Sequence, residues 1–355
     1  MKKFSILVIN PGSTSTKVSY YSDGKEKLKK EISHSSEFLK ILDMDKDFEY
    51  RFELIRELDI PWYELDAVVG RGGLLSPLES GTYNINKKMI QELIENKYGK
   101  HASNLGALLA KKIGDIFKIP SYIVDPVVVD EMDEIAKFSG IPEITRKSTF
   151  HALNQKGIVK KYCKENSLNY NSENFIVAHL GGGISVGVHK KGRVVDVNNA
   201  LDGDGPFSPE RAGGLPVGDF FKLYYNECYS KEFLLTRLKG DGGVSAYLGT
   251  TNMKEIIEKI ENGDLKAKRI IDAMCYQVSK EIGGLSTVVE GDVNKIFLTG
   301  GIANSAYVCN EIMRRVRFIA NVIVIPGENE MEALYEGTIR VLTGEEKAKN
   351  YKEIL

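Results

Sequence analysis

Cysteine is scarce in this sequence. There are four in 355 residues, Cys163, Cys228, Cys275 and Cys309, and no Cys-x-x-Cys pair. That excludes a disulfide scaffold and leaves them as small buried hydrophobes in a reducing compartment. No His/Cys pair has metal-ligand spacing, so no zinc site is expected. Net charge is equally scarce, with Lys+Arg at 48 against Asp+Glu at 49. Such a balance offers no electrostatic attraction to nucleic acid or an anionic membrane. No apolar run approaches the ~20 residues of a membrane span. The run Phe4–Ile9 stops at Asn10-Pro11-Gly12 and reads as a strand, not as a signal peptide. A cytoplasmic protein is expected. Low-complexity linkers are also missing, so domain boundaries must come from topology, and the length suggests about two domains.

What is present centres on Asn10–Lys17, Asn-Pro-Gly-Ser-Thr-Ser-Thr-Lys. It joins the apolar run before it to the alternating run Lys17–Tyr21, and Asp23-Gly24-Lys25 signals a hairpin turn. A tight turn of small polar residues can aim backbone N–H groups, hydroxyls and a lysine at one anion. It is not a P-loop, since G-x-x-x-x-G-K-[ST] is absent. The unit recurs. Asn174–Leu180 is an apolar strand, Gly181-Gly182-Gly183 a bare turn and Ile184–His189 a second strand, with a charged glycine turn at Lys190-Lys191-Gly192. The recurrence suggests duplication. A third glycine turn, Gly300-Gly301, follows the strand Lys295–Thr299 and precedes a helical pattern opening at Asn304-Ser305. Three such turns, each after an apolar strand, point to a nucleotide.

Other candidates stand singly. Arg71, between Gly70 and Gly72, is either a carboxylate or phosphate ligand or a solvated loop charge. His101 precedes a small-residue helix that Ser103 or Asn104 could cap. Asp125 ends the strand Ser121–Val124, facing a ligand crevice or making an ordinary turn. His151 lies near the start of the helix Ala152–Glu165, a good place to meet an anion. Residues 198–214 hold four glycines and two prolines and read as an ordered loop, with Arg211 as its ligand-facing charge. His179 is either a core histidine or a ligand contact. His34 and His189 read as surface residues. Leu265–Val289 reads as a long amphipathic helix softly broken at Gly283-Gly284, and the charged tail Glu345–Leu355 as surface.

Taken together, Val8–Lys17, Ala178–Gly183, Leu201–Arg211, Thr299–Ser305 and Pro326–Met331 resemble the acetate kinase family of the sugar kinase/Hsp70/actin superfamily, and its butyrate branch most closely. The similarity covers nearly the whole chain. It implies an α/β fold of two ribonuclease-H-like (actin-like ATPase) domains. Each would be a mixed five-stranded sheet flanked by helices, with the first three strands antiparallel and an active-site cleft between the domains. The implied domains are 1–148 with 331–355, and 149–330. The implied activity is reversible, in-line phosphoryl transfer from ATP to a short-chain fatty acid, with ATP/ADP and Mg²⁺ bound and self-association as an oligomer. Carried over by position, Asn10, Ser13, Ser15 and Lys17 would face phosphates and metal. His179 and Gly181–Gly183 would form a second phosphate loop, and Gly300, Gly301, Asn304 and Asn252 would line the adenosine site. His101, Asp125 and His151 match active-site positions of that family, Asp125 and either Glu328 or Glu330 would be linked to the metal, and Arg71 and Arg211 would stand in for the two active-site arginines.

Overall fold

The computed structural model describes residues 3–226 and 229–351; Cys228 lies outside them, as do 352–355 of the tail. The chain divides into two compact units, Met1–Val129 with Asn329–Leu355, and Asp130–Glu328.

In the first unit β1 (Ser5–Pro11) pairs antiparallel with β2 (Ser15–Ser22), and β2 with β3 (Lys25–Ser33). On its other side β1 pairs parallel with β4 (Ala67–Arg71). Beyond β4 come β5 (Thr82–Asn84), antiparallel to β6 (Ser121–Val124), and β6 itself, parallel to β4. Ile6, Leu7, Val8 and Ile9 are fully buried, each worth about 1.5–3 kcal/mol. Such a strand, covered on both faces, reads as a continuous apolar run. The sheet has seven strands rather than the expected five, in the order Lys349–Asn350, β5, β6, β4, β1, β2, β3. The two additions are three and two residues long, too short to leave a periodic signal. The second also corrects the surface reading of the tail. Tyr351 is buried, and its hydroxyl bonds Ser76 Oγ at 2.8 Å and Glu92 Oε2 at 2.5 Å.

The second unit repeats the plan with five strands. β7 (Asn174–Leu180), β8 (Ile184–Lys190) and β9 (Arg193–Val197) are successively antiparallel. β10 (Lys295–Gly300) runs parallel to both β7 and β11 (Val322–Pro326). The helix Leu265–Ser286 buries Ile271, Met274, Cys275, Val278 and Ile282 against this sheet's core and continues through Gly283-Gly284 without a break, because packing outweighs the ~1 kcal/mol penalty of each glycine. Burial pushes the Cys275 thiol up to about 12 and those of Cys163 and Cys309 up to about 11, so all three are inert.

Residues 130–148 belong with this second unit, where the sequence reading set the boundary at 148. Glu131 explains why. Its Oε2 accepts from Lys156 Nζ at 2.8 Å and from Val194 N at 2.9 Å, and Arg146 donates to Asp196 at 2.9 Å.

Candidate active site

Each unit carries one cluster of the expected residues. In the first, Asn10 at the end of β1 and Arg71 at the end of β4 meet Glu330, which opens the helix Glu330–Leu342. Glu330 Oε2 accepts from Asn10 Nδ2 at 2.8 Å and from Arg71 Nη1 at 2.8 Å. Adjacent parallel strands bring the first two together, and the helix returns the third from 320 positions away. Glu330 is 6% exposed; the Glu328 side chain is exposed.

Asp125 is buried in the left-handed region, φ 38°, and its Oδ1 accepts from Ser80 Oγ at 2.6 Å and Gly81 N at 2.8 Å. It therefore clamps the loop ahead of β5. His101 is exposed; its Nδ1 bonds Ser103 Oγ at 2.7 Å and lies 3.1 Å from Ser103 N. Ser103 makes no capping bond, and Asn104 Oδ1 accepts from Leu74 N instead. In the Asn10–Lys17 hairpin Ser13 is exposed, Lys17 is half-buried on β2, and Ser15 Oγ donates to Glu31 at 3.0 Å.

The sequence reading missed what holds that hairpin. Arg51 is 1% exposed, and its Nη1 donates to Gly12 O, Ser15 O and Thr16 Oγ1 at 2.9–3.1 Å, while Nε pairs with Asp47 at 2.7 Å. Its only signal was the Asp47–Arg51 spacing on a helix of mixed charge. His34, taken for a surface residue, is buried beside it, with Nε2 2.8 Å from Thr16 Oγ1.

In the second unit the Gly181–Gly183 turn, the loop 198–214 and the start of the Ala152–Glu165 helix converge. A Cβ on Gly183 would fall on the Arg211 guanidinium; only glycine lets that arginine lie across the turn. Arg211 Nη1 donates to Ala200 O, and burial lowers its pKa. Ser208 Oγ donates to Gly182 O at 2.6 Å. His151 and His179 stack with ring centroids 3.8 Å apart and 10° between planes. His179 Nδ1 lies 2.7 Å from Asn154 Oδ1. Gly300 ends β10 at φ 87°, followed by a 3-10 turn Gly301–Asn304, in which Asn304 Nδ2 donates to Gly301 O at 2.9 Å. Asn252 is exposed and caps the helix Met253–Glu261, accepting from Glu255 N at 3.3 Å. His189, also taken for a surface residue, is fully buried on β8, because β8 is covered on both faces.

The model of the acetokinase family matches residues 140–323. Butyrate kinase 1 of Clostridium acetobutylicum is 50% identical over 354 residues, 98% of this chain and all of that protein. A probable butyrate kinase of Listeria monocytogenes is 52% identical over 353 residues, 98% of this chain and 99% of that one. The chain belongs to the acetokinase family. Its fold is accordingly that of the acetate kinase of Porphyromonas gingivalis, which superposes with a TM-score of 0.76 at 18% identity over 96% of this chain and all of that one.

The residues expected at the site fall into two groups, one in each unit. Asn10, Arg71 and Glu330 form one contiguous polar group, and Arg211, His151, His179 and Gly181–Gly183 another. Among the described residues no group of three or more His, Cys, Asp or Glu could by itself hold a metal ion, nor is any helix long and apolar enough to cross a membrane.

Proposed function

We propose that this chain transfers the γ-phosphoryl group of ATP to a short-chain fatty acid, butyrate, reversibly and directly, giving ADP and the acyl phosphate. The observation that carries the reading is the near-full-length 50% identity to a protein named as a butyrate kinase.

The acid is already ionised at neutral pH, so its attack needs no general base. The difficulty is bringing two anions together, and catalysis is positioning plus charge neutralisation. Arg211 and His151 supply donors for the equatorial oxygens of the transferred group. Arg71 supplies a further cation, now paired with Glu330. The glycine turns offer backbone N–H groups to phosphates, and Gly300, Gly301 and Asn304 line the adenosine site. Mg²⁺ commonly binds through one or two carboxylates, with phosphates and waters completing its shell. A single buried carboxylate beside an amide fits that habit, so Glu330 and Asn10 would hold the ion, with Asp125 nearby in the same unit. When bound, it neutralises phosphate charge.

Self-association is part of the same reading. In the helix Val217–Asn226, Val217, Phe221, Tyr224 and Tyr225 form one stripe, 47–76% exposed, and no residue from Val217 to Tyr225 is buried. A ten-residue helix has little stability alone in water. With Tyr229 and Phe233, its rings expose roughly 500 Å², taking ~200 Å² per aromatic residue, against ~800 Å² per partner in a standard interface. A second copy with the same stripe is the partner that fits it. Sedimentation of Phe221→Glu/Tyr225→Glu should show half the mass of the parent; an unchanged mass would remove this face. The proposed setting is the cytoplasm, where the unpaired thiols stay reduced.

The test of the reaction is its reverse. Butyryl phosphate and ADP with Mg²⁺ should yield ATP, read by luciferase. Absence of ATP, together with ATP hydrolysis that ignores added acid, would overturn the assignment.

A further inference from the structure

A chain of buried hydrogen bonds runs from Tyr170 to His151 within the second unit, and its donors and acceptors can be assigned in order. Gln155 is the fixed point. One end of its amide lies 3.1 Å from Ser185 O, an atom that only accepts, so that end is Nε2, and it also donates to Ser185 Oγ at 2.9 Å. The other end is then Oε1, and His189 Nε2, 3.1 Å away, must donate to it. With its proton on Nε2, a neutral His189 presents a bare Nδ1, which accepts from the Tyr170 hydroxyl at 2.8 Å. The path is built into the sheet. A Cβ on Gly187 of β8 would sit 2.8 Å from Gln155 Oε1, so glycine there leaves room for the amide. His189, Gln155 and Ser185 are fully buried, where an unmade bond costs about 1–3 kcal/mol.

The other end reaches the active site. Ser185 Oγ accepts from Gln155 Nε2 and, at 3.4 Å, from the backbone N–H of His151. A hydroxyl has two lone pairs and one proton. With both lone pairs engaged, the proton goes to His151 Nδ1, 2.8 Å away. Neutral His151 therefore carries its own proton on Nε2. The ring stacked on it has the opposite tautomer. Asn154 Nδ2 donates to Glu328 O, so Asn154 Oδ1 accepts, and His179 holds its proton on Nδ1.

We propose that Tyr170, His189, Gln155 and Ser185 are positioning residues that hold His151 as the Nε2–H tautomer, which offers a hydrogen-bond donor to a phosphoryl oxygen. The use of that donor rests on the function proposed above; the tautomer does not.

The test is long-range ¹H–¹⁵N NMR of the full chain labelled at histidine. Only five histidines contribute, and His151→Gln identifies the ring of interest. The parent should show His151 protonated on Nε2. Ser185→Ala should give a mixture of tautomers and lower kcat by about tenfold with little change in KM, short of the ~10² that outright loss of a donor costs. Ser185→Thr, which keeps the hydroxyl, should restore both. Should Ser185→Ala fail to fold, Tyr170→Phe removes one oxygen at the far end and should shift the His189 ring signals and, less strongly, those of His151. A parent His151 protonated on Nδ1, an unchanged His151 tautomer in Ser185→Ala, or unshifted His189 ring signals in Tyr170→Phe would each overturn the proposal. If the NMR result holds but no acid is phosphorylated, the function fails and the relay stands.

Discussion

Gly183→Ala isolates the placement of Arg211 from its chemistry. Gly183 does not have a positive φ, so alanine fits the backbone. Its methyl group would occupy the position of the guanidinium, and Arg211 would have to retreat by more than about 1 Å, a displacement that can cost ~10² in rate. Losing the donor altogether costs about 10²–10³ in kcat, or roughly 3–4 kcal/mol. Gly183→Ala should therefore lower kcat by at least ~10², as should Arg211→Ala. The two losses share one cause, so the double variant should be no slower than Arg211→Ala alone. The assay is initial-rate acyl phosphate formation at saturating ATP and acid. A Gly183→Ala rate near that of the parent would show that Arg211 is not held by this turn. Additive losses would show that the methyl acts on bound phosphate instead.

Two further perturbations test the scaffold. Arg51→Met leaves Gly12 O, Ser15 O and Asp47 without their buried partner, so it should cost about 3 kcal/mol in chemical denaturation and loosen the Asn10–Lys17 hairpin; a cost under ~1 kcal/mol would make the strap incidental. Glu281 supplies a pH test. Burial, reinforced by Asp204 and Asp196 against Arg146, raises its carboxyl to about 7 from 4.5. The native state then binds more protons than the unfolded chain between these values. Its contribution is full below pH 4.5, is lost as pH rises through 7 and is flat above, by up to ~3 kcal/mol. Glu281→Gln should abolish that decline in the stability–pH curve; a parallel curve would refute it.

The hairpin unit and its repeat could be read from sequence because a buried strand ending in small turn residues is a local pattern. β1 and β7 appear where the apolar runs place them. The meeting of Asn10, Arg71 and Glu330 was not legible from spacing, since parallel pairing and a returning helix join residues up to 320 apart; only the family resemblance put them in one list. Arg51 was missed and His189 misjudged for a common reason. A charged residue on a mixed helix and a histidine ending an alternating run both look solvated, and nothing local says that a hairpin or a second layer covers them. Gly283-Gly284 errs the other way, where local propensity signals a break that tertiary packing overrides.

The central claim is a choice of acceptor, and one assay addresses it. The protein, ATP and Mg²⁺ are incubated with hydroxylamine and acetate, propionate, butyrate, isobutyrate or a panel of sugars, and acyl hydroxamate is measured. The account predicts hydroxamate that depends on both ATP and acid and peaks at four carbons. Phosphorylation of a sugar, or ATP loss without acid and no hydroxamate from any acid, would contradict it.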